Sequence, residues 1–258
     1  MPTKIPWAEE TWSPMTGCTP ASDGCLNCYA RRMAGRMRGR FGYPADDPFR
    51  PTFHPNRLAQ PLLWTRPRSI FVCSMSDLFH PQFPDHYRDD VFDAMLASEQ
   101  NCDPDGAPLD PHTWIILTKR ASMMLSYFLS TGYRAEYLEK LERLWIGVSA
   151  EDQETWDERV EILGRIPAEN KLVSIEPMLG RIEVGPLLTA AGIKQIIVGC
   201  ETGPGRRPMP WDWACDVVLR CDAAGVPRFV KQMARKNEDG TGPIERPHPM
   251  PGEIAWAR

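Results

Sequence analysis

Leu144-Trp145-Ile146-Gly147-Val148 leads into Ser149-Ala150-Glu151-Asp152. A stripe of Trp156, Val160 and Leu163 follows, stops at Gly164, and gives way to Leu172-Val173-Ser174-Ile175. Both apolar runs are short, contain β-branched residues and lack polar alternation, so they read as strands buried on both faces. The stripe between them recurs at helical spacing, and Asp152 stands where it can cap that helix. Strand, helix and strand in this order predict a parallel pair with a helix packed over it.

The same unit repeats outward. Ile70-Phe71-Val72-Cys73, Trp114-Ile115-Ile116-Leu117, Ile196-Ile197-Val198-Gly199 and Phe229-Val230 are further apolar runs, and a short one lies near Trp12. Residues 85–98 and 121–129 read as helices. So does the stripe Ala214, Val217, Val218, Cys221 and Ala224, which ends at Gly225 with Pro227 beyond. The expectation is an α/β fold, a partial or open (β/α) barrel of roughly six to seven parallel strands. A doubly wound open sheet has the same periodicity and stays as the alternative.

Residues 1–235 read as a single domain. The proline-rich stretch 41–68 is an ordered insertion, and residues 236–258 form a Pro/Gly-rich tail that wraps the surface or caps the site. With 258 residues and 42% apolar content the chain can bury a sizeable core. No apolar run approaches the roughly 18 residues of a membrane span, and the first residues lack the apolar stretch of a signal peptide. The expected location is cytoplasmic, with no membrane partner. A net charge of −4 argues against a surface coated in positive charge for DNA. Arg31, Arg32, Arg36, Arg38 and Arg40 nevertheless crowd one stretch, as a local phosphate-binding surface or a solvated helix face.

In α/β barrels the chemistry sits at the C-terminal ends of the strands. Here those ends carry Ser76 and Asp77, Lys119 and Arg120, Ser149 and Glu151, Glu176, Glu201, and Lys231 with Gln232. Any one of them suits a turn or cap, as Asp77 and Asp152 would for following helices. Six polar ends on one rim favour a ligand site. Carboxylates and hydroxyls there suit the amino group and ribose of a zwitterionic nucleoside, and Lys119 or Arg120 its carboxylate.

Cys18, Cys25 and Cys28, spaced CX6CX2C, are three of eight cysteines and the only ones that cluster. Without an export signal, such a group points to a metal or cluster rather than disulfides. Thiolates favour zinc or iron–sulfur. Structural zinc takes four ligands, and the loop holds no histidine, so a zinc site would need a distant fourth ligand such as Cys73 or His80. Three thiolates without a fourth protein ligand suit a [4Fe–4S] cluster whose remaining iron takes a small molecule.

The runs around these cysteines, Glu10-Thr11-Trp12-Ser13-Pro14-Met15-Thr16-Gly17-Cys18 and Gly24-Cys25-Leu26-Asn27-Cys28-Tyr29-Ala30, resemble the three-Cys-motif family of phage and bacterial proteins. That family is assigned by similarity to radical SAM enzymes. Phe71 to His80, Ile116 to Arg120, Gly147 to Glu151, Ser174 to Gly180, Arg207-Pro208-Met209 and Val230-Lys231-Gln232 extend the resemblance in order. It implies a partial barrel of the radical SAM type, a [4Fe–4S] cluster on Cys18, Cys25 and Cys28, and S-adenosylmethionine (SAM) on the open iron.

The loop departs from the CX3CX2C spacing of most radical SAM enzymes. Cys73 and Cys200 stand where the family pattern has Asn and Gly. The activity implied is reductive cleavage of SAM to a 5′-deoxyadenosyl radical that abstracts hydrogen from substrate. An external one-electron reductant of flavodoxin or ferredoxin type would supply the electron. Ser76, Asp77, Lys119, Ser149, Glu151, Glu176 and Glu201 are the candidate cofactor contacts. Arg206, Arg207 and Lys231 are candidates for a nucleotide or nucleic-acid substrate. A peptide or small metabolite is the alternative substrate, and a non-catalytic nucleic-acid-binding module with structural zinc is the alternative from another class.

Overall fold

The computed structural model describes residue 3 and residues 5–102, 106–107, 109–234, 244–245, 254 and 256; for 234, 244 and 245 only the backbone is described. The main sheet is built from β1 (Glu10–Trp12), β4 (Ser69–Val72), β5 (Thr113–Thr118), β6 (Leu144–Ser149), β7 (Asn170–Ile175), β8 (Ile193–Gly199) and β9 (Arg228–Ala234), closed at one edge by β10 (Ile244–Glu245). The order is β1-β4-β5-β6-β7-β8-β9-β10, so the seven strands before β10 follow one another without reversal. A doubly wound sheet reverses its order at a switch point. Strict succession of parallel strands with helical crossovers is the open α/β barrel order, and the expected fold class holds.

The chain divides into two compact units. The first comprises Met1–Thr19, Ala30–Ile146 and Pro167–Glu169; the second comprises Pro20–Tyr29, Gly147–Ile166 and Asn170–Arg258.

In the first unit β1 pairs in parallel with β4, Thr11 opposite Phe71, and β4 with β5, Phe71 opposite Ile115. Trp12, Ile70, Trp114, Ile115 and Ile116 are fully buried. The helices α2 (Asp85–Glu99), α3 (Ala121–Leu129) and α4 (Gly132–Lys140) meet through an aromatic cluster in which Phe92 stacks on Tyr127 and Tyr137. The first two of these helices match the expectation; α4 has no counterpart in the sequence reading. Helix α1 (Tyr29–Arg36) buries Ala30 and Ala34 and carries arginines on its open side. The proline-rich stretch contributes β3 (Thr52–Phe53), antiparallel to β2 (Met15–Thr16), and two short 3-10 turns, Pro55–Arg57 and Pro61–Leu63.

In the second unit β7, β8 and β9 are parallel, with Val173 opposite Ile196 and Ile197 opposite Phe229. Helix α5 (Gln153–Gly164) starts as expected at Asp152, whose carboxylate accepts from the Thr155 amide at 2.9 Å while the Thr155 hydroxyl accepts from the Asp152 amide. Helix α7 (Trp211–Ala224) buries Ala214, Val217, Val218 and Cys221 and stops at Gly225. A short α6 (Leu187–Ala190) was not foreseen. Strand β9 runs through Lys231 and Gln232 to Ala234. The expectation that those two polar residues follow the strand is therefore corrected: the ladder continues, with Gln232 opposite Gly199. Nearly all of the tail 236–258 lies outside the described residues. Among the described residues no helix is long and apolar enough to cross a membrane.

Candidate functional site

Cys18 belongs to the first unit and is fixed by its backbone. Gly17 has φ +83°, and a Cβ there would stand 2.2 Å from the Arg50 carbonyl oxygen, so only glycine fits. Its amide donates to Met75 O (2.9 Å), its carbonyl accepts from Ser76 Oγ (2.6 Å), and the Cys18 amide donates to Phe49 O (3.1 Å). Ser76 thus holds the cysteine-bearing backbone.

Asp77 is buried and does not cap a helix, since α2 begins only at Asp85. Its carboxylate accepts instead from the Thr118 hydroxyl (2.7 Å), the Phe79 amide (3.0 Å), the Lys119 amide (3.2 Å) and Arg120 Nη1 (3.1 Å). Arg120 extends onward. Its Nη2 donates to the Thr19 carbonyl (2.9 Å), and its Nη1 lies 3.6 Å from Cys18 Sγ. A guanidinium against sulfur is the electropositive setting that a metal-binding thiolate needs. His80 Nε2 lies 2.8 Å from Thr19 Oγ1. Burial, helped by Arg120, pushes His80 down to about 4, so its ring is neutral near pH 7.

Cys25 and Cys28 belong to the second unit, on a 3-10 turn at Asp23–Cys25 and the residues after it. The Ala21 amide points to Cys25 Sγ at 3.4 Å, and the Cys28 amide donates to Cys25 O at 3.3 Å. Two strand-end carboxylates grip this loop. Glu151, 1% exposed, accepts from Ser22 Oγ (2.9 Å) and from Arg159 Nη1 (3.1 Å), while the same guanidinium donates to the Ser149 carbonyl (2.6 Å). Glu201 accepts from Asn27 Nδ2 (2.8 Å), the Arg207 amide (2.8 Å) and Arg207 Nη2 (2.6 Å), and Arg207 reaches the Asp23 carbonyl at 3.0 Å. Burial works to raise Glu201, but the hydrogen bonds from Arg207 and Asn27 outweigh it and hold the carboxyl below its ordinary value.

Glu176 directly follows β7. Its Oε1 accepts from Lys231 Nζ (2.8 Å) and Gln232 Nε2 (2.9 Å) on the neighbouring part of β9. The side chains of Lys119, Ser149 and Arg206 are half-buried. Cys73 and Cys200 are buried, and burial pushes their thiols up to about 12 and about 11; both are core residues. Cys73 also sits at φ +57°, in the left-handed region.

Among the described residues no three or more His, Cys, Asp or Glu side chains gather in a way that holds a single metal ion. A cluster differs from one ion in this respect. Its cysteines each bind a separate iron, and their sulfurs stand further apart than ligands of one centre. Within the first unit Cys18 is partly exposed with a guanidinium by its sulfur, and within the second Cys25 and Cys28 are partly exposed with an amide on the Cys25 sulfur; thiols of this kind are the donor type an iron–sulfur cluster takes. Ser22, Asn27 and Arg159 are partners that the polar strand ends do not include, whereas Thr118 belongs to the strand end Thr118-Lys119-Arg120. Ser22 and Asn27 carried a signal, as polar residues inside the cysteine loop; Arg159 carried none.

The family described as "Protein of unknown function (DUF5131)" matches residues 2–247. The chain belongs to the DUF5131 family. The match spans both units and every residue of the strand-end rim. No curated protein and no solved structure matches the chain.

Proposed function

We propose that this DUF5131 chain is a radical-SAM-type enzyme, with a [4Fe–4S] cluster on Cys18, Cys25 and Cys28 and SAM at the iron that lacks a protein ligand. Bound there, the cluster supplies one-electron reduction of SAM, the source of a 5′-deoxyadenosyl radical that takes hydrogen from substrate. One observation carries the reading: the cysteine-bearing backbone is tied to charged strand-end residues, Arg120 at Thr19 and Cys18, Glu151 at Ser22, and Glu201 at Asn27. A structural knuckle needs only its metal; this loop is locked to the catalytic rim of an α/β fold.

In this reading Ser76, Asp77, Glu151 and Glu201 are positioning residues. Asp77 orients Arg120, and the two glutamates orient the loop. Lys119, Ser149 and the Glu176–Lys231 pair are assigned to the amino, carboxylate and ribose groups of SAM. Arg206 and Arg207 flank the proposed substrate, a nucleotide or nucleic-acid base. A reductant of flavodoxin or ferredoxin type delivers the electron, and a thiolate-bound cluster suits the reducing cytoplasm.

The test is anaerobic purification, reconstitution with iron and sulfide, and incubation with SAM and dithionite. A brown protein that forms 5′-deoxyadenosine, with both properties lost in Cys25→Ala, is the expected result. A colourless protein with one zinc per chain would overturn it in favour of a zinc-bearing binding module.

A further inference from the structure

Between Gly24 and Ala45 the chain has five arginines and no acidic residue. From Ala30 onward the stretch lies in the first unit, with all of α1 but Tyr29 and a tight turn over residues 39–42. At the tip of the turn Phe41 is 73% exposed and has φ +53°. A bulky residue in the left-handed region is strained, and such strain concentrates at functional positions.

The root of the turn is rigid. Gly42 follows at φ +81°, and a Cβ there would stand 2.8 Å from the buried His54 ring. The Phe41 carbonyl accepts from Arg57 Nη2 at 2.5 Å, and the Gly39 amide donates to Tyr43 O at 3.0 Å. The arginines beside the ring are also held. Arg38 Nη1 donates to the carbonyls of Ala45 (2.6 Å) and Asp46 (2.9 Å), and Arg40 Nη2 to that of Arg36 (2.6 Å). Carbonyls orient these guanidinium groups without cancelling their charge. Arg36, Arg38 and Arg40 are exposed, and none pairs with a carboxylate among the described residues.

We propose that this turn and the open side of α1 are a docking surface for single-stranded nucleic acid. Phe41 stacks on an unpaired base, and Arg36, Arg38 and Arg40 meet the flanking phosphates. A projecting ring needs a base free of its duplex stack, and ring plus arginines is the recognition chemistry of single strands. With a net charge of −4 the attraction is local to this patch. An anionic membrane is the weaker fit, because an interfacial helix presents a continuous apolar stripe, whereas the exposed residues of α1 from Arg31 onward are Arg31, Met33, Gly35 and Arg36, with one large apolar side chain among them. The inference rests on the function proposed above in that it narrows its substrate, a nucleotide or nucleic-acid base, to one carried on a single strand, but it is read by binding alone, with or without metal. Failure of either assignment is therefore visible separately.

The test is fluorescence anisotropy of the full chain with labelled oligothymidylate and oligouridylate, the two arms separating DNA from RNA. Binding that weakens as salt rises is expected. Phe41→Ala should weaken it about tenfold, Phe41→Trp should retain it, and Arg36→Ala should make the salt dependence shallower. Phe41→Gly removes the ring while relieving the backbone, so it serves as a second variant if Phe41→Ala melts early. Wild-type affinity in both ring-deleted variants overturns the proposal, as does absent oligonucleotide binding or binding to phosphatidylserine vesicles alone.

Discussion

Arg120 Nη1 stands 3.6 Å from Cys18 Sγ and 3.1 Å from Asp77 Oδ2. One guanidinium therefore joins the end of β5, a carboxylate beyond β4 and the first cysteine of the motif. Both partners of the Arg120–Asp77 pair are nearly buried, with side-chain exposures of 12% and 8%. Removing one member of such a pair strands the other charge. Arg120→Ala is expected to destabilise the chain by about 3 kcal/mol, measured by urea unfolding. Arg120→Lys keeps the charge but loses the fork that reaches Asp77 and Thr19 together. It should fold and yet bind less iron per chain after reconstitution.

Glu201 is the second anchor. Arg207 and Asn27 converge on it, and Arg207 passes on to the Asp23 carbonyl. Glu201→Ala leaves the guanidinium without its carboxylate and frees the loop. The expected result is faster amide hydrogen exchange over residues 20–29 and a loss of about 2 kcal/mol. Glu201→Gln keeps an acceptor for Asn27 and should fall between wild type and alanine in both measurements.

Much of the fold is legible in the chain because buried parallel strands leave a distinctive trace: short β-branched runs broken by helical stripes. The Asp152 cap is legible for the same local reason, its partner Thr155 lying three residues on. The partners of the rim are not. Ser22 and Glu151 are 129 residues apart, Asn27 and Glu201 174. No periodicity encodes such meetings, so the sequence does not show that residues read as ligand contacts also hold the loop. Asp77 reads equally as a cap or a ligand until the β5 end, 41 residues away, supplies its hydrogen bonds.

Asp152→Ala tests the local part alone. It removes the acceptor for the Thr155 amide at the start of α5 and should cost about 1 kcal/mol in a denaturant titration. Iron content after reconstitution should stay at the wild-type value, because neither residue of the cap touches the cysteine loop.

His54 and His112 are buried, and burial, with Arg57 and Arg68 nearby, pushes both down to about 4. In the unfolded chain each returns to its ordinary value of about 6.5. Between these values the unfolded state binds protons that the folded state does not. Stability is thus full above the unfolded value and falls as pH drops from about 6.5 to 4, by at most about 1.4 kcal/mol per pH unit for each ring. Urea midpoints taken at intervals from pH 7 to pH 4.5 should decline. His112→Gln, which keeps a polar side chain near the Arg68 amide that bonds His112 Nδ1, should make the decline shallower. A midpoint independent of pH across this range would contradict the buried, neutral state of both rings.

Thiol labelling distinguishes the two classes of cysteine. Cys73, Cys200 and Cys221 are buried, and burial pushes each thiol well up, to about 12, about 11 and about 12. Cys102 is exposed, and Cys18, Cys25, Cys28 and Cys215 are partly so. Alkylation needs an accessible thiolate. In the metal-free native chain, iodoacetamide should modify Cys102, Cys215 and the three loop cysteines while sparing the buried three. After reconstitution with iron and sulfide, Cys18, Cys25 and Cys28 should become protected and Cys102 should not. Peptide mass spectrometry reads each site. Unchanged labelling of the loop cysteines in a brown protein would move the cluster to other ligands, and labelling of Cys73 in the native chain would show that its strand end opens.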